Sequence, residues 1–311
     1  LRDGLKLKWL GAIFAVFTSI AAFGIGNMVQ SNSVASSIER TFGVTPVWTG
    51  ILLSIMTAFV IIGGIKSIAR VSSILTPFMV IVYVACSAII IILNFDRIPY
   101  VLRTVFKGAF TPTSAVGGFS GALVMQTIKI GVARGIFSNE SGLGSAPIAA
   151  AAARTQYPGA QALVSMTQTF IDTIIVCSMT GFVIILSQKW TSGLNGAELT
   201  IASFNSMVPG EKLGGYIVSF GLITFAFSTL VGWSYYGEKA IEFLFHERVV
   251  FPYRIIFCFF VFIGAILKLE AVWTFADIMN GLMSLPNLIA LIFLSRIIVE
   301  ETKKYNSSYL Q

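Results

Sequence analysis

Three charged side chains lie in the stretch of the sequence that differs most from the rest of the chain. Residues 117–153 read GGFSGALVMQTIKIGVARGIFSNESGLGSAPIAAAAA, and they carry Lys129, Arg134 and Glu140 beside apolar sequence. A charge at the centre of a bilayer costs about 3 kcal/mol or more, so such residues need a reason. Because Gly-interrupted membrane helices expose backbone groups to a solute, this pattern indicates a solute pathway.

Two adjacent hydroxyls, Ser228 and Thr229, lie deep in the apolar segment 213–236, and Trp233 follows four residues after Thr229. Hydroxyls in membrane helices commonly donate to the backbone carbonyl one turn earlier. Hydroxyl and carbonyl oxygens are also what a hard cation such as Na⁺ requires. On the residues alone, both interpretations stay open.

Other polar side chains also interrupt the apolar segments. Asn27 and Gln30 are three residues apart, so we expect them to share a helix face. They predict either an interhelical hydrogen bond or the polar lining of a solute cavity. Asp172 is either a proton or cation site, or a structural carboxylate neutralised by Arg or capped by the hydroxyls of Thr169 and Thr173, and the residues favour the structural role.

The composition places the chain in a membrane. Of its 311 residues, 56% are hydrophobic and only 11% are charged, with a mean hydropathy of +0.84. The net charge of +7 comes from basic residues in short loops between apolar segments, which argues against nucleic-acid binding. The three cysteines lie far apart in apolar runs and suit neither a disulfide framework nor a metal site.

Eight apolar segments approach the roughly 20 residues that cross a bilayer. They are residues 9–34, 47–65, 74–93, 117–130, 161–186, 213–236, 251–268 and 272–299. Pro77 falls near the start of the third predicted segment. We expect Pro286 to bend or break the last segment, and we expect irregular backbone over residues 134–147. Residues 94–116 and 190–212 are predicted to be loops.

The basic residues predict an orientation. Twelve of the 21 Lys and Arg residues fall on the side that contains the N-terminus, and seven fall on the opposite side. Because cytoplasmic loops carry the excess of Lys and Arg, we expect both chain ends to be cytoplasmic.

Four separated motifs point to one family. FGIGNMVQSNSVA (23–35), GVARGIFSNESGLGSAPI (131–148), STLVGWSYYGEK (228–239) and WTFADIMNGLMSLPNLIAL (273–291) together resemble the alanine/glycine:cation symporter family. The resemblance runs through essentially the whole chain. It implies an all-α integral membrane fold like that of the sodium-coupled leucine transporter, with two inverted repeats and broken first and sixth core helices.

On that pattern the eight segments correspond to core helices three to ten, and residues 1–311 form a single transmembrane transporter domain. The family has one further helix before the core, and that helix and the first two core helices have no counterpart in this sequence. We therefore expect an N-terminally truncated member, whose broken first helix is absent.

The resemblance also implies site residues. Those expected to bind the substrate are Asn27, Gln30, Gly118, Phe119, Gly121, Thr229 and Trp233. Those expected to bind the sodium ion, the one metal ion implied, are Phe225 through its carbonyl, Ser228 and Thr229. The interruption of core helix six is placed at residues 117–121, and residues 131–138 are the alternative.

Arg134, Asn139 and Glu140 are predicted to form a gate at the cytoplasmic mouth, where charges cost little. Glu140 would pair there with Arg134 or another inner-face cation. The alternative is a static loop that packs under the bundle.

The implied function is sodium-coupled symport of alanine or glycine into the cell by alternating access, without enzymatic activity or a cofactor beyond the coupling ion. The resemblance places the protein in a prokaryotic plasma membrane, with the lipid bilayer as a partner.

The alternatives are a proton-coupled transporter of small neutral amino acids, and a non-transporting fragment or structural membrane subunit. An intramembrane enzyme would need paired carboxylates, for which Asp172 and Asp277 are the candidates. The sequence does not decide whether the substrate is alanine or glycine, whether it is the L or the D enantiomer, or whether the coupling ion is Na⁺ or H⁺. It also leaves the oligomeric state open.

Overall fold

Long α-helices form the computed structural model, which describes residues 1–110, 120–210 and 212–309 and contains no strand in those ranges. A helix satisfies its own backbone N–H and C=O groups, which lipid cannot do, so an apolar segment that crosses a bilayer is stable in this form. Apolar side chains cover the outer faces of these helices, as at Phe59 (79% exposed) and Ile92 (70% exposed).

The α-helices, in chain order, are α1 (Lys8–Phe23), α2 (Val29–Phe42), α3 (Pro46–Ile62), α4 (Gly64–Leu93), α5 (Ile98–Phe110), α6 (Ser120–Asn139), α7 (Ala146–Ala150), α8 (Pro158–Thr169), α9 (Ser178–Ser187), α10 (Gly196–Met207), α11 (Leu213–Phe245), α12 (Val250–Ile266), α13 (Leu269–Phe293) and α14 (Ser295–Tyr309). Short π-helices join two of these pairs: Gly24–Met28 joins α1 to α2, and Phe170–Cys177 joins α8 to α9.

Within the described ranges, six helices are long and apolar enough to cross a membrane. They are Lys8–Phe42, Gly64–Leu93, Pro158–Ser187, Leu213–Phe245, Glu247–Ile266 and Leu269–Phe293. These confirm six of the eight predicted segments. The second predicted segment is α3, which has 17 residues, and the fourth falls partly outside the described residues and partly in the 20-residue α6.

The structure corrects several sequence-based expectations. Pro77 lies inside α4, because that helix already begins at Gly64, and a proline there removes one backbone hydrogen bond. The predicted loops contain α5 and α10. The helix α13 continues through Pro286 without a break.

The irregular backbone in the central stretch is shorter than predicted. The helix α6 continues to Asn139, so only residues 140–145 separate it from α7. Glu140, Gly142 and Gly144 adopt positive φ angles of 55°, 79° and 89°. That conformation is open to glycine but strained for the glutamate, and it stops the helix.

Glycines allow the central helices to approach closely. A Cβ atom placed on Gly26 would lie 1.9 Å from the Cβ atom of Trp233, which brings the π-helix Gly24–Met28 against α11. Small residues at helix contacts are typical of membrane bundles, where close packing replaces the hydrophobic effect. Trp233, only 1% exposed, therefore lies at the centre of the bundle.

Candidate functional site

A cavity of about 840 Å³ lies between α4, the end of α6, the helix α8 with the π-helix Phe170–Cys177 that follows it, α11, and the segment around Gln30. Its lining is mainly apolar, with hydroxyls, two carboxylates and two carboxamides among the apolar side chains. Among the described lining residues, none is basic. A cavity of this size and lining suits a small organic solute.

Several residues predicted from the sequence meet in this cavity. They are Gln30, Glu140, Phe225, Ser228, Thr229 and Trp233. They come from three separate parts of the chain, so the fold brings together what the sequence keeps up to 203 positions apart.

Three oxygen atoms form a group on the α11 wall of the cavity. The hydroxyl of Ser228 donates to the Phe225 carbonyl at 2.8 Å, and the hydroxyl of Thr229 donates to the same carbonyl at 3.0 Å. Both hydroxyls thus bond to their own helix in the way common for membrane helices. Each hydroxyl oxygen keeps lone pairs that are free to coordinate a cation.

Asn27 and Gln30 lie on different faces, and each fits one of the two interpretations that the sequence left open. Gln30 lines the cavity and donates to the Ile25 carbonyl at 3.0 Å. Asn27 is fully buried and donates to the Phe257 carbonyl of α12 at 2.7 Å, outside the cavity lining. The reason is the π-helix between Gly24 and Met28, because its wider turn changes the angle between residues three apart.

Glu140 lies beside Trp233 in the interior of the bundle. The indole N–H of Trp233 donates to one carboxylate oxygen at 2.8 Å, and the hydroxyl of Ser145 donates to the other at 2.6 Å. Trp233 lies near the middle of the 33-residue α11, so Glu140 is level with the middle of a span. The two donors offset the cost of burying the carboxylate.

Arg134 pairs with Asp277, not with Glu140. Its guanidinium also lies 4.3 Å from the centre of the Trp273 ring, a cation–π contact. Asp277 follows Ala276, which packs against Gly24 near the middle of the span Lys8–Phe42. The predicted pairing of Glu140 with Arg134 is therefore wrong, because each of the two side chains has a different partner. Their position at the cytoplasmic mouth stays a prediction.

Two side-chain hydrogen bonds connect the end of α6 to the π-helix Phe170–Cys177. The Ser138 hydroxyl donates to the Asp172 carboxylate, and the Thr173 hydroxyl donates to the side-chain carboxamide oxygen of Asn139. Asp172 was expected to be neutralised by an arginine or capped by neighbouring threonines, but its partner is a serine 34 residues earlier. Asn139 does not line the cavity, although Ser138 beside it does.

The predicted interruption of core helix six, at residues 117–121, lies largely outside the described residues. Gly118 and Phe119 fall there, and Gly121 belongs to the first turn of α6. The alternative, residues 131–138, is α-helical, and the break follows it directly at residues 140–145.

Sequence reasoning missed Phe137 and Ser138, which line the cavity immediately before the break. Both residues lie in one of the motifs that carried the family resemblance. A signal was present, because a cavity wall is expected where a helix ends beside Gly-rich backbone.

The fold and the cavity define a multi-pass membrane protein of the transporter class. The family model for the sodium:alanine symporter family matches residues 1–311. The chain therefore belongs to the sodium:alanine symporter family, whose members are transporters and not enzymes.

Individual relatives agree with this assignment. The chain is 50% identical over 303 residues to "Sodium/alanine symporter AgcS" of Methanococcus maripaludis, covering 96% of this chain and 65% of that protein. It is 48% identical to an "Uncharacterized transporter" of Haemophilus influenzae, covering 98% and 67%. It is 37% identical to "Probable sodium/glutamine symporter GlnT" of Bacillus subtilis, covering 98% and 63%. The chain thus spans about two thirds of the length of these relatives.

Proposed function

We propose that the protein is a sodium-coupled symporter that moves alanine or glycine into the cell by alternating access. The observation that carries this proposal is the shared cavity. The three residues of the oxygen group on α11 and two further residues, Trp233 and Gln30, all line one cavity. Family membership and the name of the Methanococcus maripaludis relative support sodium and alanine as the transported pair.

The sodium ion is assigned to the oxygen group on α11. Na⁺ is a hard cation that binds oxygen, and unwound carbonyls and hydroxyls supply oxygen without adding a fixed charge. Ser228 and Thr229 each lie within 3.0 Å of the Phe225 carbonyl oxygen, so their three oxygens form a compact group. Further ligands from the rest of the protein and from the substrate complete the coordination.

The amino acid is assigned to the space between Trp233, Phe137 and Gln30. Two aromatic rings and Ile25 leave room for a small side chain, while the Gln30 carboxamide can bind a polar group of the substrate. An extra methylene in such a pocket costs about 1–3 kcal/mol, so the walls favour small substrates. The name of the Bacillus subtilis relative includes glutamine, which makes side-chain size the property to test.

The proposal includes a fold and a location. We assign the helices to a leucine-transporter-like bundle of inverted repeats and the described spans to core helices three to ten, on the order of the four motifs. The plasma membrane of a prokaryote is the proposed location, supported by the archaeal and bacterial sources of the relatives. The excess of basic residues on one side supports two cytoplasmic ends.

Alternating access requires contacts that open and close. We keep Arg134, Asn139 and Glu140 as the gate, now with the partners that the structure gives them. Arg134 connects α6 to α13 through Asp277, Asn139 connects it to the π-helix Phe170–Cys177, and Glu140 connects the break to α11. A rocking motion would separate the helices that Arg134 and Glu140 join, whereas the Asn139 contact keeps the end of α6 fixed to the π-helix Phe170–Cys177.

Proton coupling is the second candidate, because Glu140 and Asp172 place two carboxylates in the cavity lining. A transport assay distinguishes the two ions. The protein as its gene encodes it is reconstituted into vesicles, and alanine uptake is measured under an inward Na⁺ gradient, an inward H⁺ gradient, and neither. Uptake with the Na⁺ gradient alone supports the proposal. Uptake with the H⁺ gradient alone supports the alternative, and uptake of neither alanine nor glycine contradicts both.

A further inference from the structure

The end of α6 is connected to the π-helix Phe170–Cys177 by two neighbouring hydrogen bonds. Ser138 bonds to Asp172 and Asn139 bonds to Thr173, each pair separated by 34 residues. Two consecutive side chains of one helix thus meet two consecutive side chains of another. We call this set of four residues the α6 clasp.

The π-helix itself is unusual. It has eight residues, whereas π-helices are mostly single-turn bulges that interrupt an α-helix and are often retained at functional sites. Asp172 and Thr173 lie in its first turn and both bond to α6. The wider turn therefore coincides with the clasp, which gives a reason for keeping a less stable helix form in a long span.

The clasp lies between two cavity residues. Phe137 immediately precedes it and lines the cavity, and Glu140 immediately follows it and accepts from Trp233. Fixing Ser138 and Asn139 therefore fixes the direction in which both neighbours face. No other side chain is described that bonds Ser138 or Asn139 from a different helix, apart from the Cys177 thiol at 3.8 Å from the Ser138 hydroxyl.

We propose that Asp172 and Thr173 are positioning residues for the transported amino acid. They hold the end of α6 so that Phe137 and Glu140 form one wall of the binding cavity. This inference rests on the proposed function, since it assigns the wall to substrate binding. Asp172 acts through Ser138 and not as a ligand of the substrate or the coupling ion.

The chemistry of the acceptor distinguishes these roles. Asparagine at position 172 keeps a carbonyl oxygen that can accept from Ser138 but carries no charge, whereas alanine has no acceptor. A positioning role needs only the acceptor. A cation-binding or proton-carrying role needs the charge.

The first experiment measures alanine uptake for Asp172→Ala, Asp172→Asn and Thr173→Val, each corrected for the amount of folded protein. We expect the alanine KM to rise about tenfold for Asp172→Ala, the order expected when a hydrogen bond to a charged group is lost. It should rise less for Thr173→Val and stay within about threefold for Asp172→Asn. Ser138→Ala combined with Asp172→Ala should be no worse than Asp172→Ala alone, because both remove the same bond.

Ser187→Ala is the matched control. Ser187 lies on α9 of the same span, and its hydroxyl donates to the Ile184 carbonyl, away from α6. Its KM should equal that of the parent. Equal KM values for Asp172→Ala and the parent, with only less folded protein, would overturn the inference. So would an Asp172→Asn variant as impaired as Asp172→Ala, because that result makes the charge essential.

A second experiment tests the contact without any assumption about the substrate. Ser138→Cys places a thiol beside Cys177. Mild oxidation should form a disulfide between the two positions, detected by mass spectrometry and reversed by a reductant, and the added substitution Cys177→Ser should prevent it. If the disulfide forms but the parent protein does not take up alanine, the proposed function fails while the clasp stands. If it does not form, the clasp is wrong whatever the substrate.

Discussion

The indole N–H of Trp233 donates to the carboxylate of Glu140 at 2.8 Å, which joins the middle of α11 to the break after α6. The same tryptophan packs against Gly26 and lines the cavity. One side chain thus contacts two distant parts of the chain and borders the cavity. The indole N–H donor and the volume of the ring can be removed separately, by different substitutions of Trp233.

Trp233→Phe tests the donor. Phenylalanine keeps an aromatic ring in the cavity but leaves Glu140 with the Ser145 hydroxyl as its remaining donor. Losing a hydrogen bond to a charged group costs about 1.5–3 kcal/mol, so we expect alanine affinity to fall at least tenfold. Binding of radiolabelled alanine to the purified protein measures this. Unchanged affinity would show that the bond is not part of the binding site.

Trp233→Ala tests the volume. Removing the ring enlarges the pocket, so alanine uptake should weaken while a bulkier neutral amino acid such as leucine gains entry. Competition against alanine uptake, with parent and variant side by side, measures the change in preference. If leucine already competes as well as alanine in the parent, Trp233 does not set the size limit.

The sodium assignment is tested by replacing both hydroxyls of the oxygen group. In Ser228→Ala/Thr229→Ala the Phe225 carbonyl remains but two of the three oxygens are gone. We expect the Na⁺ concentration for half-maximal uptake to rise at least tenfold, with the maximal rate at saturating Na⁺ less affected. Uptake assays at a series of Na⁺ concentrations, with constant ionic strength, measure it.

Ser234→Ala is the control for that experiment. Ser234 lies on the same helix and donates to the Val231 carbonyl, but it does not line the cavity. Its Na⁺ dependence should match that of the parent. A double variant that also keeps the parent's Na⁺ dependence contradicts the assignment of the ion to α11.

The sequence alone predicted much of the cavity and little of its internal connections. Ser228, Thr229 and Trp233 were recognised because hydroxyls and a tryptophan stand out in an apolar helix, and the structure places all three in the cavity. Gln30 was found in the same way. Asn27 instead makes the interhelical hydrogen bond that was the other alternative. The spacing of two residues does not reveal the π-helix that separates its face from that of Gln30.

The charged residues show why the rest could not be predicted. Arg134 and Glu140 were expected at an inner interface because an unpaired charge is costly in a membrane. Their partners, Asp277 and Trp233, lie 143 and 93 residues away in the sequence. Whether a charged side chain has a partner depends on such distant contacts, and the residues that surround it in the sequence do not reveal them. The same holds for Ser138 and Asp172.

Gly26→Ala tests the close approach of the π-helix Gly24–Met28 to α11. The added methyl carbon would lie 1.9 Å from the Cβ atom of Trp233, so the two helices must move apart. Overpacking costs about 1–3 kcal/mol, and for a protein of this size we expect the melting temperature in detergent to fall by about 2–5 °C. Gly232→Ala is the matched control, because no heavy atom lies within 4 Å of its added carbon. Equal melting temperatures for the two variants would contradict this packing.

The last prediction concerns the ion pair between Arg134 and Asp277. Arg134→Ala leaves the half-exposed Asp277 carboxylate without its partner and removes the contact with the Trp273 ring. Asp277 belongs to the membrane-length helix α13, where an unpaired charge is costly. We expect alanine uptake to fall at least tenfold, equivalent to about 1.4 kcal/mol.

The exchanged pair Arg134→Asp/Asp277→Arg separates loss of the pair from loss of either residue. If the pair acts as a gate, exchange should restore part of the uptake that either single change removes, because opposite charges still meet across α6 and α13. Arg296→Ala removes an exposed ion pair with Glu300 on α14 and should leave uptake unchanged. An exchanged pair no better than the worse single variant would show that the two residues act independently. Arg134 would then stabilise the bundle through its contact with Trp273, and its assignment to the gate would be withdrawn.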